Sequence, residues 1–237
     1  MKWYVLTGCL LSSLAFASGV QVVPTSIDHI FVPNGFDSND SVEVVVTGSF
    51  SDTCHSRNGV TIEKRNQQII LNMSASQRTP VEPEQCLKMT VPFMEVVNLG
   101  QLQAGTYQVV SIEHGKVLRS EPLIVTEPLS EAVDNHIYAL VERIDFGFTG
   151  GLGGNALLIA QAPSSCIALD HVEYVSNGRD TISVLPIMKK VSEVCDQTIS
   201  RIVIPIEYDI EPLKHSEVLL SVRSIDGRSV NALIGRE

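Results

Sequence analysis

Apolar residues along this chain fall in short runs, each closed by turn-forming residues. Val60 and Ile62 alternate with Thr61 and Glu63, the period-two pattern of a strand with one buried and one wet face. Spacing of this kind predicts an all-β chain built as sandwiches rather than helices. In the first half it predicts seven strands, near 26–32, 42–50, 59–64, 68–74, 87–99, 105–112 and 116–125. In the second half it predicts seven more, near 137–145, 155–161, 170–175, 180–185, 200–208, 217–225 and 228–234. Asn177-Gly178 and Asp226-Gly227 are two-residue hairpin signals, because both central positions of such a turn need positive φ. Glu113-His114-Gly115 supplies a further hairpin and Arg65-Asn66-Gln67 a turn.

The two halves read alike when the sequence is shifted by 112 residues. Ser51-Asp52-Thr53-Cys54 falls on Pro163-Ser164-Ser165-Cys166, and Val44-Val45-Val46 falls on Ala156-Leu157-Leu158. Gly35-Phe36 falls on Gly147-Phe148, and Gly115 falls on Gly227. A second cysteine closes each half, Cys86 and Cys195. An internal repeat sets the architecture, here two copies of one unit. The expected organisation is a signal peptide over 1–17, one sandwich over 18–127 and a second over 128–237. The linker Thr126-Glu127-Pro128-Leu129-Ser130-Glu131 is short, and Pro128 stiffens it, so the units should touch or take only limited relative orientations.

Met1-Lys2, the apolar stretch from Trp3 to Phe16, and the small-x-small site Ala15-Phe16-Ala17 have the three-part layout of a secretory leader. Leu6-Thr7-Gly8-Cys9 also resembles a bacterial lipobox, but the apolar stretch before Cys9 is only six residues, too short for an ordinary apolar core. The expected compartment is therefore periplasmic or extracellular. Without the leader, four cysteines remain. They allow three pairings, and the repeat favours one bridge within each half, Cys54 with Cys86 and Cys166 with Cys195. Their spacing does not suit a zinc knuckle.

Leu102-Gln103-Ala104-Gly105-Thr106-Tyr107-Gln108-Val109 resembles the tyrosine corner of immunoglobulin-like and fibronectin type III-like sandwiches. The resemblance, to tandem bacterial domains of that class, implies a structural role for Gly105 and Tyr107. The glycine lets the chain turn between sheets, and the tyrosine hydroxyl bonds back to the backbone. The second half reads Leu213-Lys214-His215-Ser216-Glu217-Val218, keeping the leucine but not the glycine or tyrosine. No core tryptophan follows the first cysteine of either half, and the cysteines flank strands rather than bridging the two that an antibody domain joins. Each bridge would staple the second-to-third loop to the fourth-to-fifth loop at one pole of its sandwich.

Charge and chemistry narrow the function. The formal net charge is -10; removing Lys2 with the leader makes it -11, which gives no electrostatic attraction to nucleic acid or anionic lipid. His29, His55, His114, His136, His171 and His215 form neither H-x-H nor H-E-x-x-H, and no nucleophile motif is present. Asp170 and His171 are adjacent, so on a regular strand they would point to opposite faces. Gly150-Gly151-Leu152-Gly153-Gly154 lacks the lysine and following helix of a phosphate loop and reads as a flexible connection. The expectation is a non-enzymatic module without metal or cofactor and without an integral membrane span. Its partner would be a protein or glycan held by sandwich loops. The candidate binding residues are His55, Arg57, Asn58, Arg78 and His114 at the first stapled pole, and His171, Lys189, Lys190 and Arg228 at the second. The alternatives are a structural or accessory subunit of an envelope or extracellular assembly, and a hydrolase or metal protein whose site has no known motif.

Overall fold

The computed structural model describes residues 19–78, 86–113, 115–129, 131, 134–147, 153–196, 199–210, 213, 215–225 and 227–235. The predicted leader, His114, Asp226 and the segment from Gly150 to Leu152 lie outside them. Among the described residues there is no helix, and the chain forms two β-sandwiches. The first holds β1 (Val20–Thr25), β2 (His29–Phe31), β3 (Phe36–Asp37), β4 (Val42–Phe50), β5 (His55–Arg65), β6 (Gln68–Arg78), β7 (Val91–Gly100), β8 (Gly105–Glu113) and β9 (Lys116–Thr126). The second holds β10 (Ile137–Tyr138), β11 (Leu140–Phe146), β12 (Gly153–Ala162), β13 (Ile167–Ser176), β14 (Thr181–Lys190), β15 (Ser200–Asp209), β16 (Glu217–Arg223) and β17 (Ser229–Gly235). All seven predicted strands of each half are present. The first sandwich adds β1 and β3, and the predicted strand at 137–145 is split into β10 and β11 as the chain passes from one sheet to the other.

The pairing order is the same in both sandwiches. One sheet of the first runs β1-β6-β8-β9-β3 with β5 on the other edge of β6, and the opposing sheet runs β2-β4-β7. In the second, β10-β14-β16-β17 with β13 beside β14 faces β11-β12-β15. The central β6 takes β8 in parallel along its first half and β1 antiparallel along its second half. β14 takes β16 and β10 in the same way. One ladder irregularity corresponds as well. The β5–β6 ladder skips Asn58, the β13–β14 ladder skips Asp170, and these positions are 112 apart. Each skipped residue is a β-bulge on an edge strand, which bends the edge away from further pairing.

Each core is closed by alternating inward residues. Val44, Val46, Leu71, Val97, Val109 and Leu123 meet in the first; Leu158, Val184, Ile204, Ile206, Leu220 and Val222 meet in the second. The β8 corner carries the Tyr107 hydroxyl, which donates to the Gln103 carbonyl at 2.9 Å, next to Gly105 at φ 156°. Two disulfides complete the sandwiches, Cys54–Cys86 and Cys166–Cys195, with Cα–Cα separations of 5.3 and 5.1 Å. Such bridges belong to an oxidising, extracellular or periplasmic environment.

The first bridge closes a loop across a sequence separation of 32 residues. Replacing Cys54 and Cys86 together by alanine is expected to cost about 3–4 kcal/mol of unfolding free energy in the chain-entropy model, read by urea denaturation. A change below about 1 kcal/mol would show that the bridge does not constrain the unfolded chain.

Candidate functional site: the stapled poles and the junction

Both disulfides sit in the same three-bond clamp. In the first sandwich, Thr53 N donates to the Leu87 carbonyl at 3.1 Å, and Leu87 N donates back to Thr53 Oγ1 at 3.0 Å. In the second, Ser165 N donates to the Asp196 carbonyl at 3.2 Å, and Asp196 N donates back to Ser165 Oγ at 2.9 Å. The third bond holds the end of the long strand. Arg78 N donates to the Cys54 carbonyl at 2.9 Å, and Val191 N donates to the Cys166 carbonyl at 2.7 Å. The hydroxyl residue before the first cysteine was visible in the sequence alignment of the two halves, although its role was not.

The structure moves the predicted pole residues off loops. His55, Arg57 and Asn58 lie on β5 and Arg78 ends β6; His171 lies on β13; Lys189 and Lys190 end β14. Several are engaged within their own sandwich. His55 Nδ1 is 2.6 Å from Asp52 Oδ1, Arg57 Nη1 reaches Glu95 Oε2 at 2.7 Å, and Asn58 Nδ2 donates to Ser74 Oγ at 3.0 Å. The bond from His55 comes first among the causes that hold the Asp52 carboxyl below its ordinary pKa.

The expectation that Asp170 and His171 face opposite sides is overturned. The bulge at Asp170 turns both side chains together, and His171 Nδ1 lies 2.9 Å from Asp170 Oδ2. Lys189 Nζ approaches the other oxygen at 2.7 Å, and Lys190 pairs with Glu193 at 2.5 Å. Bonds from Lys189 and then His171 hold the Asp170 carboxyl below its ordinary pKa. Arg228 stands elsewhere, where the β16–β17 hairpin meets Ser41 and Glu43 of the first sandwich.

That meeting belongs to a junction that no local sequence pattern marks. The outer face of β2 and β4 lies on the outer face of β16, with Phe31, Val45 and Leu219 buried together and Met94 packed against them. Arg223 crosses into the first sandwich. Its guanidinium sits 3.0 Å from Asp40 Oδ2, donates to the Gly35 carbonyl at 2.9 Å and lies 4.5 Å over the Phe36 ring. Burial pushes the Asp40 carboxyl up, and the Arg223 charge only partly offsets this. Burial likewise raises Glu43, despite two bonds from Ser229, and raises Asp134. The Tyr138 phenol, buried beside Arg223, is pushed up to about 12.

A second polar contact secures the other end of the junction. Asp180 accepts from Asn177 Nδ2 at 2.7 Å and Thr181 Oγ1 at 2.9 Å, and His29 Nε2 lies 2.9 Å away. Burial alone would raise the Asp180 pKa, but these bonds outweigh it and hold the carboxyl low. Asn177 Nδ2 also reaches the Val32 carbonyl at 3.2 Å, Ser183 Oγ donates to the Asn34 carbonyl at 2.9 Å, and Arg179 pairs with Glu121. Among the described residues no group of three or more His, Cys, Asp or Glu side chains is placed to hold a metal ion. No helix among them is long and apolar enough to cross a membrane.

Residues 44–116 match the family model of the ORF11 beta-sandwich domain. The matched stretch lies inside the first sandwich, from β4 to the start of β9, and includes the first disulfide and the Tyr107 corner. No curated protein and no solved structure matches the chain.

Two outcomes are expected from the junction. Arg223→Met leaves Asp40 buried without its partner and should cost about 3–5 kcal/mol by denaturation, whereas Asp40→Leu combined with Arg223→Met should recover most of that loss. The Asp180 carboxyl is held below its unfolded value of 3.8, so its contribution is fully present above that pH and is lost as pH falls through the lower folded pKa. Asp180→Asn should therefore flatten the acid limb of the stability–pH curve below pH 3.8; an unchanged slope would remove Asp180 as a source of acid sensitivity.

Proposed function

We propose that this chain is an exported, non-enzymatic binding module. After cleavage of a leader at 1–17, two duplicated immunoglobulin-like sandwiches, 18–127 and 128–237, present their stapled poles to a protein or glycan. The clamp built identically around both disulfides carries this reading. It ties two loops to each other by one covalent and two reciprocal bonds, so the flanking side chains are already ordered before a partner arrives. Pre-ordering lowers the entropic cost of binding. The junction adds a second advantage. By fixing the sandwiches relative to each other it fixes the spacing of the two poles, so engagement of one raises the effective concentration of the other. The match to a beta-sandwich domain family is compatible with this reading.

One observation favours a subunit of an envelope or extracellular assembly as a second reading. Leu157 pairs with Pro205 on β12–β15 as Val45 pairs with Val96 on β4–β7. Val45 is fully buried by the other sandwich, but Leu157 is 43 % exposed, and Val203 beside it is 54 % exposed. An apolar face covered in one sandwich is open in the other, as a face awaiting a neighbour would be.

Both readings are tested by capture from source-cell extract with covalent crosslinking. Alanine at His55, Arg57 and Arg78 together, or at His171, Lys189 and Lys190 together, is expected to abolish capture of the partner, while Leu157→Asp with Val203→Asp leaves it intact. The reverse pattern would replace the binding-module reading with the assembly one.

A further inference from the structure

The first sandwich opens a crevice where the second is closed. β1 ends at Thr25 and β8 ends at Glu113 along the same edge of β6, and between them lies a cavity of about 320 Å³. In the second sandwich the chain leaving β10 bridges the corresponding place with its backbone. Ala139 N donates to the Pro186 carbonyl at 3.1 Å, Ile225 N donates to the Ala139 carbonyl at 3.3 Å, and Val141 N donates to Ser224 Oγ at 3.1 Å. In the first sandwich a side-chain bond links the same elements, from Ser26 Oγ to Glu113 Oε2 at 2.9 Å.

Ser111 lines this crevice and is 4 % exposed, and its hydroxyl bonds no protein group. A buried hydroxyl left without a partner is destabilising. The second sandwich does not carry that cost. On the equivalent strand Val222 pairs with Val184 as Ser111 pairs with Leu71, and both Leu71 and Val184 face a core. Leu71, Met73, Ile27 and Leu118 make the remaining wall largely apolar. Leu118 reaches the lip because the β8–β9 ladder skips it.

We propose that this crevice is a binding site for a small amphipathic amine or alcohol. Its apolar body would fill the space against Leu71 and Met73, and its polar group would bond Ser111 Oγ. The volume is at the lower end of small-molecule pockets, so the body is a single ring or a short chain. The Glu113 carboxylate at the rim accepts hydrogen bonds and repels anions, which selects a donor group over a carboxylate.

The test uses the full chain with ¹³C-methyl methionine, and benzylamine, benzyl alcohol and benzoate as probes at millimolar concentration. Benzylamine and benzyl alcohol are expected to shift the Met73 methyl signal saturably and leave that of Met188, in the other core, unchanged. Benzoate is expected to leave Met73 unchanged. Ser111→Val should weaken both active probes about tenfold, the worth of one hydrogen bond to a buried hydroxyl. Leu118→Trp should block the entrance without altering the core, which covers the case in which the Ser111 variant does not fold. No Met73 shift with either donor probe would overturn the proposal, as would undiminished binding by both variants. A benzoate shift equal to that of benzylamine would overturn the ligand class.

Discussion

The strand β4 is buried on both faces, and the arrangement of the molecule depends on that. Val44 and Val46 enter the core of the first sandwich, while Val45 between them packs with Phe31 on Leu219 of the second. A single strand thus serves two hydrophobic contacts of different kinds, one within a sandwich and one between sandwiches. This explains why 42–46 carries four valines and departs from strict alternation. It also limits how the sandwiches can pivot, because tilting them would expose Leu219 and Val45 together.

Polar groups then fix the angle that the apolar contact allows. Arg223 gives up water to reach Asp40, and ion pairs buried to this degree contribute little net stability compared with apolar replacements. Their geometric demand is strict, however. The guanidinium must satisfy Asp40 and the Gly35 carbonyl while lying over Phe36, and few relative orientations do all three. The Asp180 site imposes a separate condition at the other end of the contact, through His29 on Asp180 and Asn177 on the Val32 carbonyl. Two such points define an orientation better than one. The raised carboxyls of Asp40, Glu43 and Asp134 show that burial at one end is only partly compensated, whereas at Asp180 the bonds prevail.

The strands and the cysteine positions were legible because both follow from local pattern: alternation, turn residues and the 112-residue correspondence. The junction was not, since Arg223 and Asp40 are 183 positions apart and nothing local marks either as buried. The candidate pole residues fall on strands for a more specific reason. β5 begins at His55 rather than near position 59, β6 ends at Arg78 rather than near 74, and β14 ends at Lys190 rather than near 185, because the polar ends of these strands carry no apolar alternation. Alternation also misplaced Asp170 and His171, because a bulge resets the period and polar residues on an exposed edge carry no hydrophobic signal to reveal it. The Asn58 bulge leaves a trace in Gly59 at φ 131°, a conformation that favours glycine; His171 at the matching position leaves none.

The same topology has therefore been finished in two ways. The second sandwich has Val222 and a bridged β10–β11 corner, and it places its outer β14–β16 face on its neighbour. The first keeps the Tyr107 corner but has Ser111 and the open crevice. A valine at position 111 would satisfy the fold, as Val222 demonstrates on the corresponding strand, so packing alone does not require a hydroxyl there. The clamps at Cys54–Cys86 and Cys166–Cys195 argue in the opposite direction: Thr53 and Ser165 differ by one methyl group and make the same bonds. What the two sandwiches share is the rigid pole, and where they differ is the interior edge of β6 and β14. A function that uses both poles alike can consequently coexist with one confined to the first sandwich.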